Sequence, residues 1–235
     1  MRQPSTTLET GPKAKERLSD VAYDAIKKDI ITHRLPPQSK ISEGRLVDSM
    51  GLSRAPIRSA LARLQSEGFV YLQTSKTQLV APLNLARCEE VFHLRNILEP
   101  DAARQAAGKV DAEELHRLNE ACAKNYTAGN ADEEYELLLA NKEFHLAIVR
   151  ASGNDLQAQF IERLQDIAMR ILWVSLRVSN RSIVWSEGHL EIIEALIAGD
   201  GDRAYKEALV HLTNGQDIVN QILKHSSVLR QVNLS

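Results

Sequence analysis

The sequence predicts a mainly α-helical protein of two units: a small unit of three helices and a β-hairpin, then a bundle of longer helices. Two observations predict this division. Up to residue 68, apolar residues recur at helical spacing in short segments, whereas after Pro82 the same spacing continues through much longer ones. The 235 residues are enough for both units. The predicted domains are a disordered tail over 1–14, a first unit over 15–82, a second unit over 83–228 and a tail over 229–235.

Turn and capping residues mark the first two helices. The first runs from Leu18 and is expected to stop near His33, because the segment Leu35-Pro36-Pro37 cannot continue a helix. Ser42 is a suitable N-cap for a short second helix. Gly51 stands where the end of that helix needs a left-handed residue.

A third helix is predicted from Ser53 to Gly68, and two β-prone runs, 69–73 and 78–81, are predicted to pair as a hairpin. The second unit reads as amphipathic helices separated by glycine-containing breaks. Its predicted helices are 86–107, 111–128, 132–151, 154–179, 184–198 and 202–224. A bundle of this size can bury a core of its own.

Charge is divided unevenly along the chain, although the net charge is only −2. Residues 13–82 carry 12 Lys and Arg against 7 Asp and Glu, whereas residues 83–235 carry 16 against 23. A basic first third on an acidic remainder indicates that this end of the protein meets a polyanion.

The second and third helices, joined by the short turn Gly51-Leu52-Ser53, have the spacing of a helix-turn-helix. Arg54 and Arg58 are four residues apart on the third helix, so their side chains share one face. That face lies opposite the apolar stripe that begins at Ile57. Arginines at this position can bond to guanine or to phosphate in the major groove, although the same pattern also occurs on ordinary solvated surfaces.

The stretch from Leu35 to Val70 resembles the DNA-binding domain of GntR-family regulators. The family pattern is a Leu-Pro-Pro-Gly turn, a short helix and a Gly–apolar–Ser–Arg segment, which this chain matches at Gly51-Leu-Ser-Arg-Ala-Pro-Ile-Arg58. The resemblance implies a winged helix-turn-helix that binds a pseudo-palindromic operator in double-stranded DNA as a homodimer. Ser53, Arg54, Ala55, Pro56 and Arg58 fall on the family's recognition-helix positions. The predicted DNA-contacting residues are these five together with Arg45 and with Lys76, which lies at the hairpin tip.

This chain departs from the GntR pattern at two places in the DNA-binding unit. Gly44 stands where some members have a DNA-contacting arginine. The wing tip Thr74-Ser75-Lys76 lacks the glycine that commonly turns there. Contacts from the wing are therefore less firmly predicted than contacts from the recognition helix.

Three histidines of the second unit are placed where their side chains can meet. His189 and His211 lie at about equal distances from the turn between the last two helices, so a helical hairpin would bring them to the same height. Asn141 and His145 share one face of an earlier helix. Neutral imidazoles with an amide oxygen suit a divalent metal ion, zinc or nickel above all. The alternative is that these histidines are hydrogen-bonded residues of the core.

Residues 86–224 resemble the FCD domain, the all-helical effector domain of the FadR subgroup of GntR regulators. The match rests on Phe92-His-Leu-Arg-Asn-Ile-Leu-Glu-Pro, on Asn141-Lys-Glu-Phe-His and on the later positions of His189 and His211. It implies a divalent metal held by Asn141, His145, His189 and His211, and a small carboxylate effector. Asn141 stands where many members have aspartate.

Arg95 matches the arginine that contacts the effector in the FCD family. The alternative is an ion pair with Glu99, one helical turn further on. In the resembling family, repression that a ligand releases is the commoner mode of action.

Other classes of protein fit the sequence less well. A metal-dependent hydrolase with an accessory DNA-binding head is the alternative function, but no general base accompanies the histidines. The N-terminus lacks the apolar core of a secretory signal, and no apolar run is long enough to span a bilayer. Cys88 and Cys122 are interpreted as reduced thiols. These features predict a cytoplasmic protein that does not contact membranes.

Overall fold

A computed structural model describes residues 12–74, 77–179 and 183–225 of the protein. The predicted fold class is confirmed: the described chain is mainly helical, with one small sheet, and it divides into two compact units over 1–81 and 82–235. In chain order the elements are α1 (Pro12–Ile31), β1 (Lys40–Ile41), α2 (Glu43–Met50), α3 (Arg54–Ser66), β2 (Val70–Thr74), β3 (Thr77–Val80), α4 (Leu85–Ala106), α5 (Ala112–Cys122), α6 (Ala131–Ala151), α7 (Asp155–Ser179), α8 (Ile183–Ile197) and α9 (Gly201–His225).

Helix α1 begins earlier than the sequence predicts. It starts at Pro12 instead of Leu18, so residues 12–14 of the predicted tail are helical. Proline is compatible with the first turn of a helix, where its missing N–H has no intrahelical partner to lose. The remainder of that tail and the C-terminal one, 229–235, lie outside the described residues.

The core of the first unit is formed mainly by α1 and α3. Ile26 and Ile30 of α1 are fully buried, as are Ile57 and Leu64 of α3. Because the apolar side of α3 faces this core, its opposite side is left to solvent. The predicted stripe therefore fixes which face of α3 is exposed.

The caps of α2 are those the sequence predicts. The side chain of Ser42 accepts a hydrogen bond from the backbone N–H of Arg45, and Gly51 takes a left-handed φ of 64°. A left-handed residue reverses the chain without a steric penalty when it is glycine. This turn sets the angle at which α3 leaves α2.

The predicted hairpin forms, and a short strand that the sequence did not predict joins it. The sheet has the order β1-β3-β2 and is antiparallel, with Lys40 opposite Leu79 and Val70 opposite Val80. β1 has only two residues, too few for a periodic pattern. Its existence depends on the long-range pairing with β3.

The second unit is the predicted helical bundle, with one helix shorter than expected. α5 ends at Cys122 instead of residue 128, and the chain after it is held by a hydrogen bond from the Tyr126 hydroxyl to the Leu176 carbonyl. α8 and α9 form a hairpin whose Ile193 and Leu196 are fully buried beside Phe144 of α6. In the described part of the chain, no helix is long and apolar enough to cross a membrane.

Candidate nucleic-acid interface and metal centre

The N-terminus of α3 is open to solvent. Ser53 is its N-cap, with extended backbone angles, yet the Ser53 hydroxyl accepts no capping hydrogen bond. The side chain is exposed, so both the hydroxyl and the first amides of α3 are accessible. Helix N-terminal amides of this kind bind phosphate readily.

The two arginines of α3 are both exposed but differ in their surroundings. Arg58 donates from Nε to Glu43 Oε2 across 2.8 Å, which connects α3 to the start of α2. Arg54 has no partner among the residues that the structure describes. Arg58 keeps its two terminal nitrogens as donors, because only Nε is used by Glu43.

The remaining predicted DNA-contacting residues are not all on the surface. Arg45 and Ala55 are exposed, near the starts of α2 and α3. Pro56 is buried, so its side chain faces the core of the first unit instead of DNA. Its place in the first turn of α3 indicates a structural role. Lys76 lies outside the described residues.

The three predicted histidines meet in the second unit. His145 comes from α6, His189 from α8 and His211 from α9, and one ring nitrogen of each lies within 4.8 Å of the others. The centroids of the His189 and His211 rings are 4.7 Å apart. This is expected for two residues at equal distances from the turn of a helical hairpin. His145 is 5.5 Å from His189 and 5.3 Å from His211, measured between ring centroids.

Neighbouring side chains orient two of the rings. His145 Nδ1 lies 2.8 Å from Glu99 Oε2, and His189 Nδ1 lies 3.1 Å from Asn119 Oδ1. His189 is fully buried, and its other ring nitrogen, Nε2, has no hydrogen-bond partner. A buried polar atom without a partner is costly unless something else binds it. A metal ion beside the other two imidazoles would satisfy this nitrogen, so the residues present fit such an ion.

The surroundings of His189 and His211 favour the uncharged form that metal binding requires. Burial, together with the neighbouring His211 and His145, holds the pKa of His189 well below its usual value. Burial, with His145 and Arg95 nearby, lowers the pKa of His211 to about 3. Both rings are therefore neutral at neutral pH, and neutral imidazole is the form that binds zinc or nickel.

Gly188 makes room for the His211 ring. A Cβ atom built at Gly188 would lie 2.6 Å from His211 Nδ1, which is closer than real Cβ atoms approach other atoms. Any larger residue would push the ring from its place. The glycine before His189 is thus part of the site, a role that nothing in its sequence context indicates.

A pocket opens beside the histidines. It is lined by the predicted site residues Arg95, Asn141, His145 and His211, together with Phe92, Leu172, Leu212 and Gly215. Asn141 is buried at this wall, one helical turn before His145. Three of the four predicted metal ligands therefore line one small pocket with the predicted effector-binding arginine, and His189 lies behind them, beside His145 and His211.

Arg95 forms the ion pair that the sequence allowed as an alternative. Its Nε lies 2.6 Å from Glu99 Oε1, and both side chains are almost fully buried. Although burial works to raise it, the charge of Arg95 and the donor groups of Arg95 and His145 lower the pKa of Glu99 to about 2. Arg95 also lines the pocket, so the ion pair and a ligand contact are compatible.

Sequence reasoning missed two residues of this site as functional groups. The sequence indicates Glu99 only as a partner of Arg95, because its contact with His145 depends on how α4 packs against α6. Asn119 is 70 residues from His189 in the chain. No local pattern could have connected them.

Two sequence-family profiles match this chain. The profile of the bacterial regulatory proteins of the gntR family matches residues 18–79, and the profile of the FCD domain matches residues 90–214. The chain belongs to the GntR family of transcriptional regulators, with an FCD domain. It is a DNA-binding regulator, and its relatives are regulators and not enzymes.

Curated relatives cover nearly the whole chain. The HTH-type transcriptional repressor RspR of Escherichia coli strain K12 is 22% identical over 221 residues, spanning 94% of this chain and 97% of the relative. The Nta operon transcriptional regulator of Aminobacter aminovorans is 26% identical over 200 residues, spanning 83% and 90%. LutR of Bacillus subtilis strain 168 is 27% identical over 209 residues, spanning 79% and 94%.

Solved structures share the fold. E. coli McbR/YncC matches with a TM-score of 0.71 at 21% identity, covering 87% of this chain and 97% of its own. A GntR regulator from Rhodococcus sp. RHA1 matches with a TM-score of 0.70 at 18% identity, covering 90% and 99%. The hydrolase alternative has no support in any of these findings.

Proposed function

We propose that this protein is a cytoplasmic repressor that senses a small carboxylate at a divalent metal ion, zinc or nickel. The ion would be held by Asn141, His145, His189 and His211. The observation that carries the proposal is the buried Nε2 of His189, which has no protein partner and lies beside two further imidazoles. A core histidine in a purely structural role would be expected to use both ring nitrogens.

The chemistry of the pocket favours an anionic effector. An amide and three neutral imidazoles do not offset the charge of a divalent ion, and a metal with open positions attracts carboxylates. Arg95 adds a second positive group at the same pocket wall. Its planar guanidinium is well suited to a carboxylate, because it can donate two parallel hydrogen bonds.

On DNA, the proposed contacts come from Arg45, Ser53, Arg54, Ala55 and Arg58. All five have exposed side chains at the starts of α2 and α3. Lys76 stays a predicted contact of the wing. Each chain has one recognition helix, so a pseudo-palindromic operator would be read by a homodimer. Effector binding would shift the population of protein that can place both helices on DNA.

The proposed direction of control is repression that the effector relieves. It is supported by the name of the relative RspR, which is a transcriptional repressor. A reporter gene behind an operator selected from a random DNA pool would test the direction. Reporter activity should fall when the protein is expressed, and activation instead would contradict the proposal.

Metal and effector binding can be tested on protein purified without an affinity tag. Elemental analysis before and after chelator treatment should find a divalent ion that the chelator removes. A thermal-shift screen of small mono-, di- and tricarboxylic acids follows, on the metal-loaded and on the chelated protein. A specific acid should raise the melting temperature of the loaded protein only, because it stabilises the native state by mass action. A protein that retains no metal, or an acid that stabilises both forms equally, would refute the metal-dependent sensor.

A further inference from the structure

Glu99 is a buried carboxylate at the meeting point of three helices. Its Oε1 atom lies 2.6 Å from Arg95 Nε, within α4, and accepts a hydrogen bond from Gln165 Nε2 of α7 across 3.0 Å. Its Oε2 atom, which accepts no hydrogen bond of good geometry, lies 2.8 Å from His145 Nδ1 on α6. One carboxylate thus contacts a proposed metal ligand and the proposed effector-binding arginine at the same time.

These contacts fix the direction of both neighbours. With Nδ1 of His145 turned to Glu99, the other nitrogen of that ring, Nε2, is left for the metal. A carboxylate behind a metal-binding histidine commonly sets its tautomer and its orientation. With Nε of Arg95 bonded to Glu99, the guanidinium plane is fixed, and its terminal nitrogens are left as donors for a ligand.

We propose that Glu99 is the positioning residue that ties the metal centre to the effector pocket, by holding His145 with one oxygen and Arg95 with the other. The proposal rests on the metal-dependent sensor proposed above. Glu99 itself is neither a metal ligand nor an effector contact. Because it holds both groups, loss of its two acceptor atoms should disturb the metal ligand and the arginine together.

The zinc affinities of two Glu99 variants distinguish a positioning role from a simple effect of the negative charge. Zinc affinity is measured on the full-length protein by competition with a chromophoric chelator. Glu99→Leu removes both acceptors and should weaken zinc binding about 10- to 100-fold. Glu99→Gln removes the charge but keeps an oxygen that can accept from Nδ1, so its zinc affinity should stay closer to that of the wild type. Equal losses in the two variants would show that only the charge matters and would contradict positioning.

The matched control is Glu143→Leu. Glu143 is on the same helix as His145, but its side chain is 43% exposed and pairs with Arg150 on the surface. Zinc affinity should be unchanged in this variant. Because Glu99→Leu leaves Arg95 buried without its carboxylate, the double variant R95M/E99L, which removes both charges, is measured beside it.

A second readout needs no metal. Nitrogen-15 NMR of the chelated wild-type protein should show His145 with its proton on Nδ1, and a slowly exchanging Nε–H signal from Arg95. Both features should be lost in Glu99→Leu, and R95M/E99L should also lose the His145 tautomer. An unchanged tautomer in these variants would overturn the proposal. If wild-type protein binds no zinc, the metal-dependent sensor fails, whereas the NMR result still decides the role of Glu99.

Discussion

The face of α3 that is proposed to meet DNA and the histidine site of the second unit are built in opposite ways. The first consists of exposed side chains within one short stretch, residues 42–58. The second consists of mostly buried side chains from helices between Glu99 and His211. A contiguous surface motif can be recognised from the sequence, whereas the geometry of a buried site depends on how distant helices pack.

The same contrast governs how each region should respond to substitution. Exposed arginines contribute little to folding, so their removal should affect binding alone. Several polar groups of the histidine site contact one another, so a change there disturbs several neighbours. Three substitutions, in order of decreasing effect, test whether the two regions are as separate as this comparison indicates.

The largest expected effect is on DNA binding by Arg54→Ala. A bidentate arginine contributes about 1–3 kcal/mol of discrimination for each base that it reads, and a homodimer would lose two such contacts. At about 2 kcal/mol for each contact, affinity for a selected operator should therefore fall about 1,000-fold. The measurement is fluorescence anisotropy at fixed salt concentration, because the salt concentration itself changes the affinity.

Arg117→Ala is the control for Arg54→Ala. Arg117 is an exposed arginine of α5 that pairs with Glu114, in the other unit of the chain. Operator affinity should be unchanged in this variant, and zinc affinity should be unchanged in both. Arg54→Ala with wild-type operator affinity would show that α3 does not read DNA through this residue.

The next effect is on metal binding by Gly188→Ala. The added Cβ would occupy the space of His211 Nδ1, so the ring has to leave its place beside His145 and His189. Zinc affinity should fall about 100-fold, comparable with the upper end for loss of a residue that supports a metal site. The chelator competition described above measures it.

Gly44→Ala is the matched control for Gly188→Ala, because a Cβ built at this helical glycine of the other unit meets only Ser42 Oγ, at an ordinary contact distance of 3.9 Å. Its zinc affinity should match that of the wild type. If Gly188→Ala also bound zinc normally, the His211 ring could not be a ligand in the position that the structure gives it.

The smallest effect is on stability and should leave both sites untouched. Gln38 lies in the turn that follows Pro36, and its φ is 62°. A side chain in this region is strained, so Gln38→Gly should stabilise the protein by about 0.5–1 kcal/mol after the greater freedom of glycine in the unfolded chain is counted. Urea unfolding followed by circular dichroism measures the change.

Gly51→Ala should change the free energy of unfolding in the opposite direction, because Gly51 has a similar φ of 64°. It should destabilise the protein by about 1 kcal/mol. If both variants shifted the free energy of unfolding in the same direction, backbone strain would not be the cause. Operator and zinc affinities should be those of the wild type in Gln38→Gly.

Most of the helix boundaries were predictable because their causes are local. Ser42 and Gly51 cap α2 as residues of their types should, and the spacing of apolar residues placed α4 and α6 to α9 within a few positions. The strand β1 and the early end of α5 were not predicted, and both involve distant contacts. β1 exists only through β3, and the chain after α5 is held by a bond to α7.

The amino-acid sequence by itself determined the two-unit helical fold, the exposed arginines of α3 and the set of histidines that could meet. These follow from capping, periodicity and charge, which act between residues close together in the chain. Only the tertiary structure decided that Pro56 is buried, that Glu99 and Asn119 orient His145 and His189, and that Gly188 makes room for His211. The physical reason is that such contacts arise where separate helices pack, and packing joins residues whose spacing along the chain carries no pattern.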